Sequence, residues 1–153
     1  MKNEEKNITT NRKAYHDYFI QDKIIAGIEL KGTEVKAVRA GQISLKDSYA
    51  KIENGEVFLL KAHISPYDFG GYDNHEPERN RRLLLHRAEI KRLQRNIESK
   101  GMALVPLRVF ITEKGKVKVE LALAKGKRQY DKREAIADRE LRKELDYQRK
   151  VNR

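Results

Sequence analysis

Two stretches in which apolar residues alternate with polar ones constrain the fold of this chain most. In "SYAKIENGEVFLLKAHI", Asn54 and Gly55 separate two strand-like runs, and both residue types accept the positive φ that a two-residue hairpin turn requires. In "LRVFITEKGKVKVELAL", apolar residues alternate on both sides of Gly115. Alternation with a period of two is typical of strands that bury one face. The sequence therefore predicts two antiparallel hairpins.

Two other segments have the features of short helices. In "LKGTEVKAVRAG", Thr33 is the predicted N-cap and Gly41 suits the left-handed residue that ends a helix, which leaves room for two turns. Residues 90–97 place isoleucine and leucine at helical spacing, and Gly101 predicts the end of this second helix. The helices are thus interposed between strands.

The order of these elements predicts a mainly β fold. Residues 18–20 and 24–30 favour extended structure, whereas residues 1–10 are polar and aperiodic and are predicted to be flexible. Strands in hairpins with short helices between them favour a small antiparallel OB-like β-barrel that carries the helices on its rim. We expect this barrel over residues 11–125, followed by a basic tail over residues 126–153 that is disordered or helical.

The charge of the chain is divided unevenly along its length. The 153 residues carry a formal net charge of +11. Residues 1–77 hold 11 Lys and Arg against 12 Asp and Glu, whereas residues 78–153 hold 23 against 11. Positive charge concentrated in one half favours a polyanionic partner. Nucleic acid is the favoured partner, and an anionic membrane surface is the alternative.

Further features narrow the class of protein. No apolar run approaches the ~18 residues that span a bilayer, and the N-terminus lacks the apolar stretch of a signal peptide. We therefore expect a cytoplasmic protein without a membrane partner. The sequence has no cysteine, which excludes disulfides, thiolate metal sites and cysteine nucleophiles.

The residue patterns of common enzymes do not occur in this sequence. The four histidines have no metal-ligand spacing, and the sequence contains neither a phosphate-binding glycine motif nor a nucleophile elbow. A nuclease that uses two imidazoles, such as those of His16 and His86, remains open because such a pair can act as acid and base on RNA. We expect a protein that is not an enzyme and has no cofactor.

Three short patches combine basic residues with features suited to RNA. "ERNRRLLLHR" places three arginines before an apolar triplet, as a phosphate clamp or a solvated turn would. "KGKRQYDKR" surrounds Tyr130 with cations, so that this ring can stack on an unpaired base. "NRKAYHDYFI" interleaves cationic and aromatic residues, namely Arg12, Lys13, Tyr15, His16 and Tyr18.

The segment after residue 125 is too charged for a core helix. On a helical wheel that starts at Ile136, Glu140 and Glu144 fall within the apolar sector, where packing on a barrel would bury their carboxylates. The opposite sector is basic and contains Arg139, Arg142, Lys143, Arg149 and Lys150. An isolated helix of this kind is marginal in water. Either the tail is a solvated helix, or it folds only against a polyanion.

Several of these motifs together resemble one known family. "NRKAYHDYFI", "AGIELKGTEVKAVRAG", "SLKDSYAKIENGEVFL", "ISPYDFGGYDNHEPERNRRLLLHRAEI" and "AKGKRQYDKREAIADRE" are similar, in this order, to segments of the bacterial SsrA-binding protein family (small protein B). The resemblance runs from about Asn11 to Arg139. It implies an OB-like barrel with a basic C-terminal tail.

The resemblance also implies a function. Members of the family bind the tRNA-like domain of transfer-messenger RNA (tmRNA) and deliver it to ribosomes stalled on mRNA that lacks a stop codon. The barrel takes the place of the missing anticodon arm near the decoding centre of the small subunit, and the tail enters the empty mRNA channel as a helix. Elongation factor Tu is an indirect partner through the charged tmRNA. The resemblance thus implies that this chain is an adaptor in trans-translation.

The resemblance and the basic patches together give candidate RNA-contacting residues. Asn11 and Leu84 match family residues implicated in binding the tRNA-like domain. The full set expected to bind tmRNA is Asn11, Arg12, His16, Lys36, Arg39, Arg79, Arg81, Arg82 and Leu84. The set expected near the decoding centre is Lys125, Gly126, Lys127, Arg128, Tyr130, Asp131, Lys132 and Arg133. The set expected in the mRNA channel is Arg139, Arg142, Lys143, Arg149 and Lys150.

One position departs from the family pattern. Many members carry a glutamate before "AG", whereas this sequence has Ile25 there. A contact made by that carboxylate is therefore not expected in this chain. The alternative function is a generic OB-type binder of single-stranded nucleic acid with no dedicated RNA.

Overall fold

The structure is a computed structural model that describes residues 5–67 and 74–127. Within these ranges the chain forms nine strands and three helices. In chain order they are β1 (Lys6–Thr10), α1 (Arg12–Asp17), β2 (Tyr18–Ile28), α2 (Gly32–Arg39), β3 (Ile43–Ser44), β4 (Tyr49–Glu53), β5 (Glu56–Leu60), β6 (His63–Ile64), β7 (Arg81–Leu84), α3 (Arg87–Lys100), β8 (Ala103–Ile111) and β9 (Val117–Gly126). No helix in these ranges is both long and apolar enough to cross a membrane.

The main sheet closes on itself. Seven strands follow the order β1-β8-β4-β5-β7-β2-β9, and β9 pairs back with β8, so that the strands from β8 round to β9 form a ring. Every pairing is antiparallel. Alternate side chains such as Leu59, Val109 and Leu121 fill its interior and have no exposed surface. The predicted fold, a small antiparallel OB-like barrel with short helices, is confirmed.

Both predicted hairpins are present. Asn54 and Gly55 have φ angles of 52° and 76°, and the flanking residues Glu53 and Glu56 are the last pair of the β4–β5 ladder. The second hairpin joins β8 to β9, and Gly115 in its turn has a φ of 83°. Local turn chemistry therefore sets the register of two pairs of barrel strands.

The two predicted helices are also present, with one change at an N-terminus. Helix α2 begins after Lys31 rather than at the predicted cap Thr33, because the Glu34 carboxylate accepts the Lys31 backbone N–H at 2.7 Å. The hydroxyl of Thr33 lies instead 2.9 Å from Nδ1 of His75. Helix α3 ends at Gly101, which has the predicted left-handed conformation.

Two further elements differ from the sequence prediction. The expectation of a flexible segment over residues 1–10 is wrong for Lys6–Thr10, which forms β1 and pairs with β8. The triple-arginine patch, interpreted as a clamp or a turn, contains the start of β7, which pairs with β2 and β5. In both cases a pairing with distant residues supplies the order that the local sequence does not indicate.

Helix α1 packs on the outside of the barrel. Its Ala14 is buried against a small second apolar cluster that includes Val105, Leu107, Ala122 and Ala124. Alanines at the contact let the helix lie close to β8 and β9. This position places α1 beside the C-terminal end of β9, where the described part of the barrel ends.

Candidate nucleic-acid interface

Asn11 fixes helix α1 to the barrel. Its Oδ1 accepts the Ala14 backbone N–H at 3.2 Å and so caps the helix, while its Nδ2 donates to the Pro106 carbonyl at 2.9 Å. Its backbone N–H donates to the Leu107 carbonyl at 2.7 Å. Because the side chain is engaged on both sides and only 9% of Asn11 is exposed, it orients the helix rather than offering a large contact surface.

Helix α1 presents cationic and aromatic side chains to solvent. Arg12 is exposed and forms no ion pair with any described acidic residue, whereas Lys13 lies 3.2 Å from the Asp47 carboxylate. His16 is exposed, and its Nδ1 is 2.9 Å from Asp17. The Tyr15 ring is 41% exposed. Tyr18, predicted as part of this patch, packs against the second apolar cluster instead.

The end of β9 lies against α1 and the start of β2. Lys125 pairs with Phe19, and Gly126 pairs with Tyr18. The Lys127 ammonium donates to the Tyr15 carbonyl at 3.3 Å and lies 5.3 Å from the centroid of the Phe19 ring. We call this surface the α1 face; it comprises Arg12, Lys13, Tyr15, His16, Phe19, Lys125 and Lys127. It unites residues predicted for tmRNA with residues predicted for the decoding centre.

A second surface lies near α2, and we call it the α2 face. It contains a groove of about 330 Å³ lined in part by Leu84, Lys116 and Lys118, and it includes Ile25, Lys36 and Arg39. Arg39 donates to the Gly115 carbonyl at 3.2 Å, and the Lys36 ammonium lies 5.4 Å from the Tyr67 ring centroid.

Leu84 and Ile25 form the apolar part of the α2 face. Leu84 pairs with Gly27, where an added Cβ would lie 3.2 Å from the Leu84 Cβ, so glycine lets this leucine lie across β2. Ile25 shares a face of β2 with Gly27 because side chains alternate along a strand. Leu84 is 48% and Ile25 50% exposed. Ile25, which stands where many family members carry glutamate, is therefore an exposed apolar side chain beside Leu84.

The residues predicted for tmRNA do not form one site. The α1 face adjoins Tyr18 at the start of β2, whereas Leu84 pairs with Gly27 near its end. Nine residues of strand span roughly 30 Å. His16 and His86 are divided in the same way, because His86 follows β7 by two residues. The structure thus does not bring together the imidazole pair that a nuclease would need.

The three clustered arginines have three different environments. Arg81 has no exposed surface: its Nε donates to Glu34, and its other nitrogens donate to the carbonyls of Ala62 at 2.8 Å and Pro77 at 3.0 Å. The prediction that Arg81 contacts RNA is wrong, because its donors are used inside the protein. Arg79 donates to the same carboxylate at 2.6 Å and keeps part of its side chain exposed.

Glu34 is charged although it is fully buried. Burial alone would raise the pKa of its carboxyl group, but hydrogen bonds from Arg79, from the Lys31 backbone and from Arg81, together with the charge of Arg81, hold the pKa below its ordinary value.

The third arginine of the patch, Arg82, is exposed and lies 3.4 Å from Glu56. Of the three arginines in the predicted clamp, Arg82 is the most exposed, Arg79 is partly exposed and Arg81 is buried.

The remaining predicted residues lie outside the described ranges. They are Arg128, Tyr130, Asp131, Lys132, Arg133, Arg139, Arg142, Lys143, Arg149 and Lys150.

The structure adds residues that the sequence analysis did not select, notably Phe19, Lys116 and Lys118. Lys116 and Lys118 alternate with the apolar residues of β9, so that strand periodicity alone would have placed them outside the barrel.

A closed antiparallel barrel that displays cations together with exposed rings defines an OB-like β-barrel of the nucleic-acid-binding class. The family is shown by comparison with known proteins: the family model described as "SmpB protein" matches residues 8–152. This chain belongs to the SmpB family.

Individual relatives agree with this assignment. The SsrA-binding protein of Caldicellulosiruptor bescii is 59% identical over 149 residues, which cover 97% of this chain and 92% of that protein. The SsrA-binding protein of Acetivibrio thermocellus is 57% identical over 151 residues, which cover 99% and 97%. A solved structure described as "tmRNA-SmpB: a journey to the center of the bacterial ribosome" is 49% identical, with a TM-score of 0.65, and the match covers 78% of this chain and 83% of that one.

Proposed function

We propose that this chain binds the tRNA-like domain of tmRNA and delivers it to stalled ribosomes for trans-translation. The observation that carries this proposal is the 49% identity to the structure whose description names tmRNA, SmpB and the ribosome. The arrangement of the α1 face supports it, because cations and rings there adjoin the point from which the basic tail continues. A barrel that holds one RNA and extends an arm into another is suited to an adaptor.

The proposed contacts follow the two faces. The α1 face contacts tmRNA through Arg12 and His16. On or near the α2 face, the contacts to tmRNA are made by Lys36, Arg39, Arg82, Leu84 and the exposed part of Arg79. Asn11 acts by holding α1 in place. Residues 125–133 contact rRNA at the decoding centre. Residues after 133 form the arm that enters the mRNA channel, where the basic side chains meet phosphates.

The protein acts without chemistry of its own. We propose that it needs no cofactor and works in the cytoplasm, where charged tmRNA also brings it into contact with elongation factor Tu. Within residues 5–67 and 74–127 no group of histidine and acidic side chains is arranged to hold a metal ion. The binding free energy comes from phosphate neutralisation and base contacts.

A comparison of two RNAs tests the proposal. At physiological salt, the full chain should bind a tRNA-like RNA fragment more tightly than an unstructured oligonucleotide of equal length. Backbone electrostatics alone cannot discriminate between them, so equal affinities would favour a generic single-strand binder. If the RNA were cleaved during the incubation, and if His16→Ala abolished that cleavage, the adaptor proposal would be replaced by a nuclease.

A further inference from the structure

Two aromatic rings are exposed on the α1 face beside lysine ammonium groups. Tyr15 is 41% and Phe19 39% exposed. We propose that each of these two rings is a stacking surface for an unpaired base of an RNA whose phosphates lie on Arg12, Lys125 and Lys127. This site rests on the proposed function and adds to it the class of group that the α1 face recognises: a nucleobase outside a duplex.

Lys127 contacts both residues, through the backbone oxygen of Tyr15 and the ring of Phe19. Its ammonium lies 3.3 Å from the Tyr15 carbonyl oxygen and 5.3 Å from the Phe19 centroid, and the Lys23 ammonium lies 5.9 Å from the Tyr15 centroid. Each ring therefore already has a cation near it. A nucleotide presents a planar π surface next to a phosphate, so it matches a ring next to an ammonium group.

The charges around the rings favour a polyanion. Arg12, Lys125 and Lys127 form no ion pair with a described acidic residue. The nearby carboxylate of Asp22 lies 3.3 Å from Arg92, and that of Glu120 lies 3.3 Å from Arg108. An acidic peptide would use the cations but would not require two exposed rings. A second copy of this chain would bring its own charge of +11 against the surface.

The helix that carries Tyr15 is held independently of its ring. The Ala14 side chain packs on the barrel, and the Oδ1 and Nδ2 of the Asn11 side-chain amide hold the helix start. The contact from Lys127 is to the backbone oxygen of Tyr15, which any side chain at this position preserves. Removal of the ring therefore tests stacking with little effect on the fold.

The test compares two variants of the full chain, each checked for an unchanged thermal unfolding temperature. The double variant Tyr15→Ala/Phe19→Ala removes both rings, and Tyr15→Phe/Phe19→Tyr keeps two rings. The probe is a tRNA-like RNA fragment with 2-aminopurine at unpaired loop positions.

We expect the double alanine variant to bind this fragment about tenfold or more weakly and to lose the quenching of 2-aminopurine. The ring-preserving variant should behave like the wild type. The slope of log Kd against log salt should not change in the double alanine variant, because no phosphate-neutralising charge is removed. Lysine-to-alanine changes at positions 125 and 127 should reduce that slope.

Three results have distinct meanings. If the double alanine variant matches the ring-preserving variant in affinity and quenching, the stacking site is refuted. A loss of affinity only for small ribosomal subunits assigns the stacked base to rRNA and supports the site. If the wild type shows no preference for tRNA-like RNA, the proposed function fails, and quenching in a labelled unstructured oligonucleotide then decides whether the rings stack on bases.

Discussion

At the scale of single residues, the basic patches contain both exposed cations and cations used by the fold. Arg81 and Arg82 are neighbours in sequence, but on β7 their side chains point to opposite faces, so Arg81 is buried against Glu34 while Arg82 is exposed. Asn11 matches a family residue implicated in RNA binding, and here its side chain is bonded within the protein. Sequence proximity thus does not separate structural from RNA-contacting residues.

The role of Asn11 can be tested by two substitutions. Asn11→Ala removes the cap and the bond to the Pro106 carbonyl, and it should lower the free energy of unfolding by about 1–2 kcal/mol. Asn11→Asp keeps the acceptor for the Ala14 N–H and should cost less. Urea unfolding measures both effects. Full stability of Asn11→Ala combined with lost RNA affinity would instead identify Asn11 as a direct RNA contact.

Removal of the buried carboxylate should be far more harmful than removal of an exposed one. Glu34→Ala leaves Arg81 charged, buried and without its anion, and we expect a loss of about 3–5 kcal/mol in unfolding free energy. The matched control is Glu56→Ala, which breaks the exposed pair with Arg82 and should cost at most about 1 kcal/mol. Equal effects in urea unfolding would contradict the assigned roles.

The same carboxylate contributes to the pH dependence of stability. The pKa of Glu34 is lower in the folded than in the unfolded chain, so its contribution is complete above the ordinary value of 4.5 and is lost as the pH falls through the folded-state pKa. Between pH 7 and about 3, the wild type should therefore lose more unfolding free energy than Glu34→Gln. Parallel curves for the two proteins would show that Glu34 is not the group responsible.

At the scale of elements, the sequence predicted what local chemistry determines. The β4–β5 and β8–β9 hairpins and helix α3 were predictable because turn residues, alternation and a terminal glycine are visible in adjacent residues. Strand β1 and helix α1 were not, because β1 pairs with distant β8 and the six residues of α1 are held by contacts to Pro106 and Val105. The α1 face and the α2 face likewise depend on which strands are neighbours.

Two glycine substitutions test the hairpin assignment. Gly55→Ala places a Cβ at a φ of 76° and should lower the unfolding free energy by about 1–2 kcal/mol. Gly32→Ala is the matched control, because Gly32 begins α2 and nothing lies within 4 Å of an added Cβ. That change should leave the free energy of unfolding unchanged or raise it by up to about 1 kcal/mol. Thermal or urea unfolding distinguishes the two directions.

At the scale of the whole molecule, the proposed functions of barrel and tail are separable. A chain that ends at residue 133 should keep nearly full affinity for the tRNA-like RNA, because both described faces remain. It should fail to support peptide tagging on stalled ribosomes, because the arm for the mRNA channel is removed. Filter binding and a tagging assay in a reconstituted translation system measure the two properties. Loss of RNA affinity on truncation would place tmRNA contacts in the tail.

The hydrogen bond from Lys127 to the Tyr15 carbonyl has a geometric consequence. Together with the pairing of Gly126 with Tyr18, it holds the end of β9 beside α1. In the proposed function, this contact helps to set the distance between an RNA bound on α1 and an RNA bound by the residues after β9. Because alternate residues of a strand point to opposite sides, one extra residue in β9 would turn the Lys127 side chain away from the Tyr15 carbonyl, and this hydrogen bond would be lost.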